Sequence, residues 1–275
     1  MRLFNKVAVI GTGLIGGSLA LSLKKQKLAN TIVGVSKHAN SLKLALRRKA
    51  IDRAGLSLDI IKGSDLVILA TPVSTIINLK NKIRRLIEKD CIVIDVGSTK
   101  QKIVTSLEKV FPGFLGCHPL AGSEKRGISN AKADIFKDSL CIITPTKNTS
   151  KDTIKKINKL WVKVGARVVF LSPKEHDRIL SFTSHLPHII AFTLINSIPQ
   201  GYLRFSSGGL KDATRIASSD PGLWQDIFLS NQENILKAID LFEKNIKKLK
   251  SAIRERNSGL NKILNSAKSK RDSLE

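Results

Sequence analysis

A histidine stands where an apolar run gives way to a turn. In GCHPLAGSEKRG, His118 follows FPGFLGC, and Ser123 and Glu124 lie in the turn beyond. A titratable ring at a strand end is placed to exchange a proton with something bound there; a solvated loop histidine is the plain alternative. Farther on, TSHLPH sets His185 and His188 three residues apart on a helix that Pro187 must loosen or kink. That spacing suits a metal, but no third ligand at a matching interval is apparent, so no metal is expected. In KDATRIASSDP, Arg215 carries a planar fork that matches a carboxylate, with Lys211 as a neighbouring charge. Arg215 and Asp212, three apart on one helical face, can also pair with each other. Ser98 in DVGSTK offers a hydroxyl, or an N-cap for the helix that follows.

Near the N-terminus, VAVIGTGLIGGSLALSL places Gly11, Gly13 and Gly16 directly after a strand and at the opening of a helix. Gly11 permits the tight turn, Gly13 lets backbone approach a pyrophosphate, and Gly16 lets the helix pack closely on the sheet. The helix start at Leu14 and Ile15 supplies N–H donors and the positive end of a dipole. The second strand ends in VGVSKHAN, with Ser36 and Lys37 where an acidic residue would grip the ribose of NAD. Without that carboxylate the 2′-phosphate of NADP is not repelled. NADP is the favoured cofactor, and NAD stays open because a serine also bonds a ribose.

Seven short apolar runs must position these groups: VAVI (7–10), TIVGV (31–35), LVILA (66–70), CIVIDV (91–96), FLGC (114–117), LCIIT (140–144) and ARVVF (166–170). They alternate with Lys-rich amphipathic segments, the pattern of a doubly wound α/β sheet. Ligands bind at the carboxyl ends of such strands, which is where Thr71 and Pro72 of ATPVS, Ser98 and His118 fall. After Ser172-Pro173, a helix start, only helical periodicity is found. The expected architecture is a Rossmann-like dinucleotide-binding domain over 1–171, followed by an all-α domain over 172–275. Ile235, Ile239, Phe242, Ile246, Leu249 and Ile253 form a heptad seam, shared between two subunits or packed within one. The terminal stretch ILNSAKSKRDSLE is expected to fray.

The net charge of +25 raises the question of nucleic acid. The basic residues are spread along the whole chain, and aromatics at 5% offer few stacking platforms, so solvated helix faces account for them better. Cys91, Cys117 and Cys141 are odd in number and sit in or beside apolar runs, as reduced thiols of a cytoplasmic protein do. Cys117 should face away from His118, because side chains alternate along a strand. The N-terminal apolar run is broken by glycines and has no cleavage site, and no further run long enough for a bilayer is expected. The reading is a soluble, unprocessed chain with no membrane partner.

Taken in order, IGTGLIGGSLALSL, VIDVGSTK, GCHPLAGSEKRG, TSHLPHIIAFTL and GGLKDATRIASSDPGLWQDIF resemble the prephenate/arogenate dehydrogenases of tyrosine biosynthesis, over residues 6 to about 250. The resemblance implies a homodimer that couples hydride transfer to decarboxylation of a cyclohexadienol. It implies His118 as the group that accepts the hydroxyl proton, with Ser98 as second partner of that hydroxyl. By the same resemblance Arg215 binds the ring carboxylate, His188 faces the substrate side chain, and His185 supports the site. An imidazole able to donate to a pyruvyl ketone points to prephenate; arogenate, with an ammonium, would prefer an acceptor. Ser123 and Glu124 belong to the mouth of the site or to a solvated turn, and Trp224 to packing. Ala213 replaces a larger, often aromatic residue of relatives. No length remains for a fused mutase or sensing domain, so tyrosine feedback would act at the catalytic site.

Two other readings compete. A β-hydroxyacid or imine reductase would draw its acid from the helical half, whereas His118 lies in the Rossmann half. A basic Rossmann protein that binds nucleic acid or senses redox state without turnover would shift DNA in a salt-dependent way.

Overall fold

Each of the seven apolar runs contributes a strand, and an eighth joins them. A computed structural model describes residues 2–123, 125–256 and 258–274. The strands are β1 (Phe4–Ile10), β2 (Ala29–Val35), β3 (Arg53–Gly55), β4 (Leu66–Leu69), β5 (Ile92–Asp95), β6 (Phe114–Pro119), β7 (Leu140–Thr144) and β8 (Arg167–Phe170). They form one sheet in the order β3-β2-β1-β4-β5-β6-β7-β8. Neighbours run parallel except β6 and β7, which are antiparallel with His118 opposite Ile142. The strand not foreseen, β3, is only RAG at the sheet edge, too short to show a pattern.

The sheet is covered on both faces. Val7, Val9, Leu66, Ile68, Ile94, Leu115 and Cys117 pack into one core, while Ala8, Ile10, Val67, Leu69, Val93 and Phe114 pack into the other. Strands buried on both sides read as unbroken apolar runs, which is why they were legible. The order of strands reverses between β1 and β4, and this switch point opens a crevice at the carboxyl ends.

Ser172 caps the next helix (Pro173–Leu180) in a capping box with Glu175, and Pro173 occupies its first turn. A π-turn over Ser181–His185 links it to the helix Leu186–Asn196, and Pro187, which lacks an N–H, sits in the first turn of the latter. Helices Gly208–Thr214 and Pro221–Ser230 follow, and no strand lies beyond β8 among the described residues.

By length and composition alone, the helical stretch Pro173–Asn196 is apolar enough to cross a membrane, with a mean hydropathy of 1.2. The expectation of no further such run is revised on this point. The stretch nevertheless buries His176, Asp177, Ser181 and His185, polar side chains that a bilayer would penalise and that protein partners satisfy for His176 and Asp177.

Residues 1–231 form one compact unit and residues 232–275 another. In the latter, the helix Gln232–Glu255 carries the heptad seam, with Ile235 buried and Ile246 and Ile253 exposed. The terminal stretch is not frayed: a helix runs over Gly259–Asp272. Its Ala, Leu and Lys residues favour helix, and Lys268 pairs with Asp272 one turn on.

Candidate active site

The glycine loop closes the carboxyl end of β1. Gly11 sits at a φ of 100°, and a β-carbon there would meet the Ala70 carbonyl oxygen at 2.4 Å. A β-carbon on Gly16 would lie 2.1 Å from the Gly11 oxygen, so neither position accepts a side chain. Gly13 differs, since a β-carbon there would meet nothing within 4 Å. It caps the helix Leu14–Lys25 without a side-chain bond, so no cap side chain satisfies the first N–H groups of this twelve-residue helix. The hydroxyls of Thr12 and Thr71 are buried beside this turn and bond nothing in the protein. A spacious cradle, orphan donors and unpaired hydroxyls fit a dinucleotide pyrophosphate. Ser36 follows β2 and accepts the His38 N–H at 3.1 Å; Lys37 is exposed, as is Pro72.

Across the crevice, His118 is partly buried near the end of β6. Cys117 points into the opposite core, as alternation requires, and burial pushes its thiol up to about 12, so it is no nucleophile. His118 Nδ1 lies 2.8 Å from His176 Nε2, and His176 Nδ1 lies 2.8 Å from Asp177 Oδ1. Asp177 also receives the N–H groups of Lys100 at 2.7 Å and Gln101 at 2.9 Å. It thereby caps the helix Gln101–Leu107, the role that Ser98 was a candidate for; Ser98 stands half-buried just before it. Burial holds the His118 ring well below the usual imidazole value, and His176, Lys100 and His185 push the same way.

Lys100 itself is wholly buried and bonded to Asp95. Burial raises the Asp95 carboxyl, against the pull of Lys100 and of the Gly97 N–H. The neighbouring Thr99 hydroxyl is 3.0 Å from that of Ser230, so this loop is tied to the helical segment at several points.

The histidines of SHLPH fall on either side of the π-turn's end. His185 is buried; the Asn231 amide meets its Nδ1 at 3.2 Å, and its Nε2 has no partner. Burial lowers it to about 4. His188 stacks on Trp224 with ring centroids 3.5 Å apart, and its Nδ1 donates to the Ser184 carbonyl at 3.0 Å. Burial again keeps that ring below its usual value, and the charge of Arg215 adds to the effect. Arg215 opens a short turn (Arg215–Ser218) after the helix that carries Lys211, and both side chains are exposed. Ser123 is exposed and accepts the Lys125 N–H at 3.2 Å, while Glu124 lies outside the described residues. A β-carbon on Gly122 would come within 3.8 Å of Ile15, so the loop after His118 returns to the glycine turn.

His176, Asp177 and Asn231 were not singled out from the sequence. LSPKEHD had been read only for its helix start, although two adjacent titratable groups in a first turn are a usable signal. No group of three or more His, Cys, Asp or Glu side chains among the described residues is arranged to hold a metal.

A doubly wound sheet, a glycine turn without a side-chain cap at its switch point and an imidazole at the carboxyl end of another strand belong to oxidoreductases that use a nicotinamide dinucleotide. Two family models divide the chain: "Prephenate dehydrogenase, nucleotide-binding domain" matches residues 19–170, and "Prephenate dehydrogenase, dimerization domain" matches 172–266. The chain belongs to the prephenate dehydrogenase family. It is 36% identical to the prephenate dehydrogenase of Bacillus subtilis over 98% of this chain and 76% of that one. A cyclohexadienyl dehydrogenase of Zymomonas mobilis is 35% identical, over 92% of this chain and 90% of the other. The crystal structure of the Aquifex aeolicus prephenate dehydrogenase with hydroxyphenyl propionate and NAD+ superposes with a TM-score of 0.93, at 36% identity and covering 98% of each chain.

Proposed function

We propose that this chain oxidises and decarboxylates prephenate to 4-hydroxyphenylpyruvate. One observation carries the arrangement of the site: contacts run from His118 through His176 and Asp177 to Asn231 and His185, and His185 lies against Trp224, on which His188 stacks. The imidazole on the sheet is thus linked by contacts to the histidines of the helical segment, and the charge of Arg215 acts on the last of them, His188. The dinucleotide, held by Gly11, Gly13, Leu14, Ile15, Gly16, Thr71 and Pro72, supplies the hydride acceptor. His118 takes the proton of the substrate hydroxyl, and its lowered basicity keeps the ring free to accept near neutral pH. Ser98 holds the same hydroxyl. Arg215 grips the ring carboxylate through paired N–H groups, with Lys211 adding attraction at the mouth beside Ser123. Loss of that carboxylate as carbon dioxide leaves an aromatic ring, so orientation is the protein's main contribution.

Arogenate is a second substrate on this reading, for a specific reason. His188 spends its Nδ1–H on Ser184, so in the neutral ring Nε2 can only accept. An ammonium side chain finds an acceptor there, whereas a pyruvyl ketone is met only by the protonated ring. NADP is favoured over NAD because Ser36 and Lys37 present no carboxylate to a 2′-phosphate. On this reading the domain boundary is 171/172, a placement supported by family models that match 19–170 and 172–266, and the helices beyond make a cytoplasmic homodimer.

Turnover followed by absorbance of the reduced nicotinamide, with prephenate or arogenate and NAD or NADP, tests the substrate and cofactor readings. Activity is expected with both substrates and a higher kcat/KM with NADP. No turnover of either cyclohexadienol with either dinucleotide would overturn the reading.

A further inference from the structure

A carboxylate can only accept hydrogen bonds, and this fixes the protons behind His118. Asp177 Oδ1 is met by His176 Nδ1 at 2.8 Å, so that nitrogen carries hydrogen. In a neutral His176, Nε2 is then a bare acceptor. It lies 2.8 Å from His118 Nδ1, which must donate to it. The remaining nitrogen of His118, Nε2, is left with a lone pair. His118 is thus set in the one tautomer that can receive a proton through Nε2.

We infer that His176 and Asp177 form a proton relay that sets the tautomer of His118 and takes over the charge it acquires. The inference rests on the reading of His118 as base. The substrate hydroxyl proton bonds to His118 Nε2 while the hydrogen on Nδ1 passes to His176 Nε2. His118 is neutral again, and His176 becomes an imidazolium still bonded to Asp177. A bound dinucleotide would supply the acceptor for the hydride, so protons and electrons balance. The surroundings favour this direction. His118 faces Lys100 and His185, neither of which welcomes a second positive charge. Burial and Lys100 lower the His176 ring as well, but it has the Asp177 carboxylate in contact and Asp95 nearby to offset part of this, and His118 has no such carboxylate partner. His176 and Asp177 are both buried, so water does not compete for the transfer.

Two experiments on the full-length protein decide the matter. The chain has five histidines, few enough for nitrogen-15 NMR of labelled imidazoles to resolve each. At neutral pH His118 and His176 are expected in the Nδ1–H form; an Nε2–H tautomer at His118 would overturn the relay. The second compares Asp177→Asn, His176→Gln and His118→Asn. His176→Gln is expected to lower kcat by roughly 10²-fold with substrate and cofactor KM changed less than about threefold. Asp177→Asn is expected to move the acid limb of kcat/KM down by about 1–3 pH units, because an imidazolium loses its partner. A merely structural role would lower the melting temperature and leave that limb in place, which would contradict the relay. If His118→Asn alone abolishes turnover, the base stands and the relay falls. If His118→Asn turns over normally, the assignment of the base itself falls.

Discussion

The two sides of the crevice are built on different principles. The glycine turn is made mostly of backbone: three glycines and the start of a helix, with two buried hydroxyls beside them, all but Thr71 within six residues. The His118 side is made of side chains from distant segments. His118 meets His176 across 58 residues, and Asp177 reaches Lys100 across 77. A backbone site needs only local φ/ψ and room, whereas a side-chain site needs the whole fold to bring donors and acceptors into register. Substitutions should therefore act differently on the two sides.

The largest expected effect is on the side-chain half. His118→Asn should cut kcat by roughly 10³–10⁴-fold and leave cofactor affinity unchanged, as measured by steady-state kinetics and a binding titration. Arg215→Gln comes next. It should raise the KM for substrate by about 10–100-fold, the worth of a charge-assisted bond, and shift that for cofactor far less. Unchanged kinetics in both variants would remove the division between the two sides.

On the backbone half, Gly16 and Gly13 sharpen the contrast. Gly16→Ala forces a carbon against the Gly11 oxygen and should unfold the turn, lowering the melting temperature by several degrees, of order 4 °C or more. Gly13→Ala meets no atom of the protein, so stability should hold while the cofactor KM rises by about tenfold.

A separate effect concerns stability against acid. His185 is lowered from an ordinary value of 6.5 to about 4 by burial. The unfolded chain therefore binds the extra proton first. Stability from this group is complete above about pH 6.5 and is lost progressively as pH falls toward 4, by about 3 kcal/mol in all. Urea unfolding at several pH values measures it. In His185→Gln, that part of the slope between pH 6.5 and 4 should vanish.

Legibility followed the same division. Strands buried on both faces announced themselves as apolar runs, and only the three-residue β3 escaped. The glycine spacing, the Ser172-Pro173 helix start and the loosening around Pro187 were all local features, and each was found. Asp177 was missed as a cap because its partner helix begins at Gln101, and no local rule links the two. Ser98 looked like the cap for the converse reason: it stood close in sequence to a helix that a distant carboxylate closes. Ser184, one turn before His188, takes its Nδ1–H, a local bond that bears on the donor role given to that ring.

A crystal structure with the dinucleotide and a phenol that carries a carboxylate side chain addresses the central claim most directly. The hydroxyl oxygen should lie about 2.6–3.2 Å from His118 Nε2, with the cofactor's pyrophosphate on the Gly13 turn and the guanidinium of Arg215 facing the same cavity. A ligand bound elsewhere, or a His118 ring whose Nε2 points away from that oxygen, would contradict the account.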